Sequence, residues 1–185
     1  MRFMTLVAAV VLFVALAAFA TRWLRRTFAP VEVAGESMTP ALLPGEYLLL
    51  RRDSLADGEQ AYGQIVALRD RSGRLLLKRV VGLPGESLRA GADVQINGRA
   101  LVERYAHGVT PAAQYRGIDR LGPDEHFVLG DRRDASTDSR NFGPVRAASI
   151  EGVAALRYWP PGRVGLLRRP RREFAAVDGA DAPRR

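Results

Sequence analysis

A mostly β fold of antiparallel strands, carried behind one N-terminal transmembrane helix, is the class predicted for this 185-residue chain. Three observations predict it. Phe3 to Ala20 is an unbroken apolar run without a charge. From Val31 onward the apolar residues come in short runs broken by Gly, Pro, Asp and Asn, the punctuation of strands and turns. Finally, Asn97-Gly98 separates two such runs, Val94–Ile96 and Arg99–Val102; both turn residues accept positive φ, so the pair closes a hairpin.

Each element follows in order. At 1.5 Å per residue the apolar run reaches roughly 27 Å, enough to cross a hydrocarbon core. Arg2 precedes it, and Arg22, Trp23, Arg25 and Arg26 follow at interfacial positions. Ala18-Phe19-Ala20 offers a rival reading, a secretory signal peptide or a site at which the anchor is removed. The run is long for a signal peptide core, which favours a retained anchor over residues 1–28. Residues 29–168 form the β-rich domain. Its expected strands are Val31–Ala34, Tyr47–Leu50, Gln64–Leu68, Leu75–Val81, the hairpin pair, Phe127–Leu129 and Gly152–Tyr158. A brief helix is expected at Thr39–Leu43 or Arg146–Ile150. Residues 169–185 are charged and proline-bearing, which predicts a disordered tail.

Composition narrows the chemistry. The chain has no cysteine, which excludes disulfides, thiolate metal sites and a cysteine nucleophile. With only His107 and His126, a histidine-rich metal site is not expected, and no cofactor is implied. The net charge of +8 suits nucleic acid or anionic lipid. The arginines are spread along the chain and no nucleic-acid motif accompanies them, so nucleic acid is not an expected partner. All basic residues but one are arginine; the exception is Lys78. Arginine stays protonated in proteins, whereas a buried lysine can shift its pKa and act as a base.

Three segments carry the candidate chemistry. Gly35-Glu36-Ser37-Met38-Thr39-Pro40 places a serine in a tight turn after a short strand. Leu75 to Val81 surrounds Lys78 with aliphatic residues; by alternation Lys78 shares a face with Leu76 and Val80, and Arg79 points the other way. Desolvation there would lower the lysine pKa, as a serine–lysine pair requires. Gly130 to Val145 is dense in charges, hydroxyls and glycines. By composition alone it reads as a solvated loop rather than support for a site. His126, before a strand, and His107, in a polar loop, are competing bases for Ser37.

Taken together, Gly-Glu-Ser37-Met-x-Pro, Gly63-Gln-Ile-Val, Lys78-Arg-Val-Val-Gly-Leu-Pro-Gly-Glu86 and Gly130-Asp-x-Arg-Asp-x-Ser-x-Asp-Ser-Arg-x-x-Gly-Pro-Val145 resemble the ordered boxes of the bacterial type I signal peptidases. The resemblance covers about Val31 to Leu167. It implies an antiparallel β-sheet or partly open barrel of that type and a membrane-bound serine endopeptidase. Such an enzyme removes signal peptides from exported preproteins after an A-x-A site, with its domain outside the cytoplasmic membrane. It assigns Ser37 as nucleophile, Lys78 as general base and Ser136 as the serine that orients the lysine. Asp138 and Arg140 become a structural ion pair, and Asp131 a supporting acid. The Ser37 N–H becomes an oxyanion donor, and Gly35 stands where some relatives have a second donor. Val33, Ala34, Met38, Leu42, Leu76 and Leu77 become the pocket residues for small side chains. The implied partners are signal peptides and the lipid bilayer. Arg132, Ala135, Gln64 and Glu86 depart from the commoner residues of these boxes. Two alternatives stand beside this reading. A conjugative-pilin processing peptidase of the same clan shares Asp138-Ser-Arg-x-Phe-Gly-Pro-Val, but Ser37-Met38 favours the general enzyme. The other is a non-catalytic membrane-tethered binding protein, against which intact Ser37, Lys78 and Ser136 argue.

Overall fold

The computed structural model describes residues 2–52, 55–70, 72–91, 93–109 and 117–176. Helix α1 (Arg2–Thr27) runs straight into strand β1 (Phe28–Glu32). Its described side chains are exposed along almost all of its length, including Phe13, Phe19 and Trp23. Among the described residues no helix is long and apolar enough to cross a membrane. This departs from the expected transmembrane helix. The Ala18-Phe19-Ala20 sequence lies within unbroken helix, and Thr21 Oγ donates to the carbonyls of Ala17 and Ala18.

The other strands are β2 (Tyr47–Arg51), β3 (Ile65–Arg69), β4 (Leu75–Gly82), β5 (Leu88–Ala90), β6 (Val94–Ile96), β7 (Arg99–Ala100), β8 (Glu125–Leu129), β9 (Val145–Arg146), β10 (Ile150–Trp159) and β11 (Gly165–Leu166). The main sheet has the order β1-β2-β10-β3-β4-β8-β9, with β11 added to β10. Its named pairings are all antiparallel. The path ends at β1 and β9 without their pairing, so no barrel closes; the expected partly open barrel is an open sheet. A second sheet, β5-β6-β7, holds the hairpin at Asn97-Gly98, where φ is 51° and 77°.

The sheet is covered on both sides, as β3 records residue by residue. Val66 and Leu68 enter a large core with Val80, Phe127, Val128 and the small sheet's Leu88, Val94 and Ile96. Ile65 and Ala67 enter a second core with Val33, Met38, Leu42, Leu48 and Leu77. A strand buried on both faces loses polar alternation, which is why this one reads as a continuous apolar run.

Two expectations give way to local bonding. The Thr39–Leu43 segment forms hydrogen-bonded turns, with Leu42 N–H donating to Met38 O, and Ala147–Ser149 forms a 3-10 turn. The short helix α2 (Ser139–Phe142) lies instead in the charged loop, where Asp138 and Asn141 cap each other reciprocally. Residues Arg169–Ala176 of the expected disordered tail are folded against the domain. Arg172 pairs with Glu59 and Glu86 and lies over Tyr62, while Glu173 O accepts from Val102 N–H. Residues 177–185 of that tail lie outside the described residues.

Candidate functional site

Ser37 follows β1 in a turn fixed at both ends of its loop. Val33 N–H donates to Glu46 O and Gly45 N–H to Val33 O, each at 2.8 Å. From beneath, Met38 and Leu42 anchor the turn in the second core. Glu46, buried at the loop's end, binds Arg157 and Arg163, each at 2.9 Å.

Lys78 comes from the middle of β4, opposite Val66 of β3. It is 2% exposed, and its Nζ donates to Ser37 Oγ at 2.7 Å. Burial pushes its pKa down to about 8, and the charges of Arg74 and Arg140 act in the same direction; Asp138 and Asp131 oppose them. Holding a charged lysine there costs about 3 kcal/mol at ~1.36 per pH unit, so the neutral amine that can accept a proton is far easier to reach than in a free lysine.

The loop after β8 closes the site from the other side. Arg132 N–H donates to Ser37 O at 3.0 Å. Gly130 has no room for a side chain: a Cβ would overlap Ser136 Oγ and lie 2.6 Å from Ser37 O. Asp138 organises this loop, accepting from Gly130 N–H at 3.0 Å and pairing with the Arg140 guanidinium at 2.8 Å. Asp131 accepts both arms of buried Arg79, at 2.8 and 2.6 Å. Behind it Arg133 meets Glu103 at 2.8 and 2.7 Å, and Tyr105 packs its ring on Arg79.

A groove of about 360 Å³ opens at Ser37 and Lys78. Val33, Ala34, Met38, Leu76 and Leu77 line it, as do Gly35, Leu75, Ala135 and Thr137. Leu42, the sixth expected pocket residue, does not: it is fully buried, one helical turn beyond Met38. Ser136 Oγ is buried without a hydrogen-bond partner, so its expected bond to Lys78 is not made. Among the described residues the Ser37 N–H donates to no backbone carbonyl. Gly35 meets nothing within 4 Å of a built Cβ, leaving space where a second donor could stand.

Neither histidine lines the groove. His126 lies in a separate cavity with its pKa lowered by burial, and His107 serves through its backbone, bonding to Asp131 and Arg133. Among the described residues no three His, Cys, Asp or Glu side chains are grouped as a metal site. Sequence reasoning missed Glu46 and Glu103 and gave Gly130, named as the start of a box, no packing role. Of these, only Gly130 carried a local signal, a glycine directly at a strand end.

Comparison with known proteins identifies relatives of the chain. The family model described as "Signal peptidase, peptidase S26" matches residues 3–159. Signal peptidase I of Leptolyngbya laminosa is 34% identical over 148 residues, covering 75% of this chain and 72% of that protein. The mitochondrial ATP-independent inner membrane protease subunit 1a of Arabidopsis thaliana is 35% identical over 148 residues, covering 78% of each chain. The crystal structure of a signal peptidase I from Enterococcus faecalis aligns with a TM-score of 0.43 and 30% identity, covering 54% of this chain and 98% of that one.

Proposed function

The chain belongs to the signal peptidase family, peptidase S26, and from that premise we propose that it cleaves exported preproteins after an A-x-A site with Ser37 as nucleophile and Lys78 as general base. The observation that carries this reading is the 2.7 Å contact between Ser37 Oγ and a buried lysine within one groove.

Neutral Lys78 takes the Ser37 proton as Oγ attacks the carbonyl carbon of the residue before the cut. The Ser37 N–H receives the developing oxyanion. Collapse of the tetrahedral species breaks the peptide bond, and the Lys78 ammonium returns its proton to the departing amine. A water molecule, deprotonated by the same lysine, then releases the acyl group and restores Ser37. Asp131, Asp138 and Arg140 act on this sequence through the loop they hold.

The groove also suits an extended peptide. The β8 partner ends at Arg79, so among the described residues one edge of β4 over Leu75–Lys78 is unpaired and β1 pairs with β2 alone. Strand addition between these edges supplies backbone bonds, while Val33, Ala34 and Leu76 leave room for small side chains. The exposed apolar surface of α1 holds the enzyme at a lipid bilayer, with the domain on the extracytoplasmic side of the cytoplasmic membrane.

The test is preprotein cleavage by the full chain in sealed vesicles. The parent should cut after the second alanine, Ser37→Ala should not cut, and protein lacking residues 2–27 should leave the membrane fraction. Parental cleavage by Ser37→Ala would end the catalytic assignment. Retention of the truncated protein in the membrane would end the tether.

A further inference from the structure

Arg74 has no role in the chemistry above, yet it lines the same groove. It lies one residue before β4 and four before Lys78, and it lines the groove together with Leu76 and Lys78, which share one face of the strand. Four residues of strand span about 13 Å at ~3.3 Å each. A substrate strand laid along this edge with the residue before the cut at Lys78 therefore sets its third residue before the cut at Leu76. Its fifth falls at Arg74, facing the same way.

The guanidinium is built to stay there with donors to spare. Asp70 accepts from the Arg74 N–H at 3.0 Å and from Nε at 3.2 Å, and is itself held by Ser72. The two terminal amino groups of Arg74 make no hydrogen bond among the described residues. Across the groove, Glu32 is engaged by the Tyr47 hydroxyl at 3.3 Å. After burial, the Arg74 charge is among the causes holding the Lys78 pKa down, so its field reaches the reacting end of the groove.

We propose that Arg74 is a specificity-determining residue that reads the fifth substrate residue before the cut and favours an acidic side chain there. The inference rests on the proposed docking of the signal peptide along β4. Arg74 is largely exposed, and exposed ion pairs contribute modestly, which corresponds to roughly a two- to five-fold preference.

Three peptides identical except for Glu, Gln or Lys at the fifth residue before an A-x-A site provide the test, with kcat/KM measured for the parent, Arg74→Gln and Arg74→Glu. The parent should prefer them in the order Glu, Gln, Lys. Arg74→Gln should flatten the series, Arg74→Glu should reverse it, and high salt should flatten all of them. Because the readout is a ratio within one variant, any general change in activity through Lys78 cancels. An unchanged order in Arg74→Glu overturns the proposal, as does a parental preference for lysine, which would give the selection to Glu32. If the parent cuts none of the three, the docking and cleavage reading has failed rather than the role of Arg74.

Discussion

Lys78 and Arg79 are neighbours on β4 and are buried to the same depth, 2% and 3% exposed. Their partners differ completely. Arg79 turns toward the charged loop, where Asp131 meets it with two bonds and Gly63 O accepts a third at 2.8 Å. Lys78 turns toward the groove, where its bonding partner is a serine hydroxyl. The difference teaches how one strand places the proposed base and a strut side by side. A buried cation beside a carboxylate stays charged and fixes geometry; one facing a neutral hydroxyl among aliphatic side chains is driven toward neutrality.

Lys78→Arg breaks the comparison most severely. It places a second permanent cation where the bonded partner is a hydroxyl rather than a carboxylate, and arginine cannot supply a neutral nitrogen. Cleavage should fall on the order of 10⁴-fold, measured as kcat/KM on a preprotein; near-parental turnover would show that the low lysine pKa is irrelevant.

Asp131→Asn attacks the other side. It leaves Arg79 buried with its charge unanswered, which should cost about 3–5 kcal/mol of stability, read from the denaturant midpoint. A change below ~1 kcal/mol would mean that Arg79 is not the strut described. The same variant removes a charge that raises the Lys78 pKa, so the pH profile of its remaining activity should move toward lower pH.

The mildest test leaves the sequence untouched. With Lys78 near 8, kcat/KM of the parent should rise about tenfold per pH unit below that value and level off above it. The stability sign follows. Folded Lys78 releases its proton near pH 8 and unfolded lysine near its model value of 10.5. Between these the unfolded state binds more protons, so stability rises with pH through that window; below it the full cost persists. A rate inflecting near 10.5 would contradict the desolvated lysine.

Much of this arrangement is legible in the residues. The Asn97-Gly98 hairpin is a local matter of positive φ, and the solitary lysine in an aliphatic strand already suggests a shifted base. Asp131 and Arg79, by contrast, are separated by 52 residues, and composition offers several arginines for that carboxylate. Leu42 reads as a pocket residue in the resemblance, yet the turn that bonds it to Met38 rotates it under the floor of the groove. Helix α2 is four residues long, too short for a periodic signal, so only its Asp138–Asn141 cap could have revealed it. The segment around Arg172 looks like solvated charge because its partners, Glu59 and Glu86, are far away in sequence.

The order of the main sheet has a consequence for how the molecule is made. Strands β2 and β3 follow one another in the chain but do not pair, because β10 lies between them. The serine arrives on the β1–β2 side and the lysine on the β3–β4 side, and the strand that joins these halves spans residues 150–159. During synthesis from the N-terminus, α1 and both reactive side chains emerge long before the seam between them can close. Pairing across such sequence separations is slow to form. A nascent chain therefore carries Ser37 and Lys78 without their alignment until β10 has been added between the two halves of the sheet.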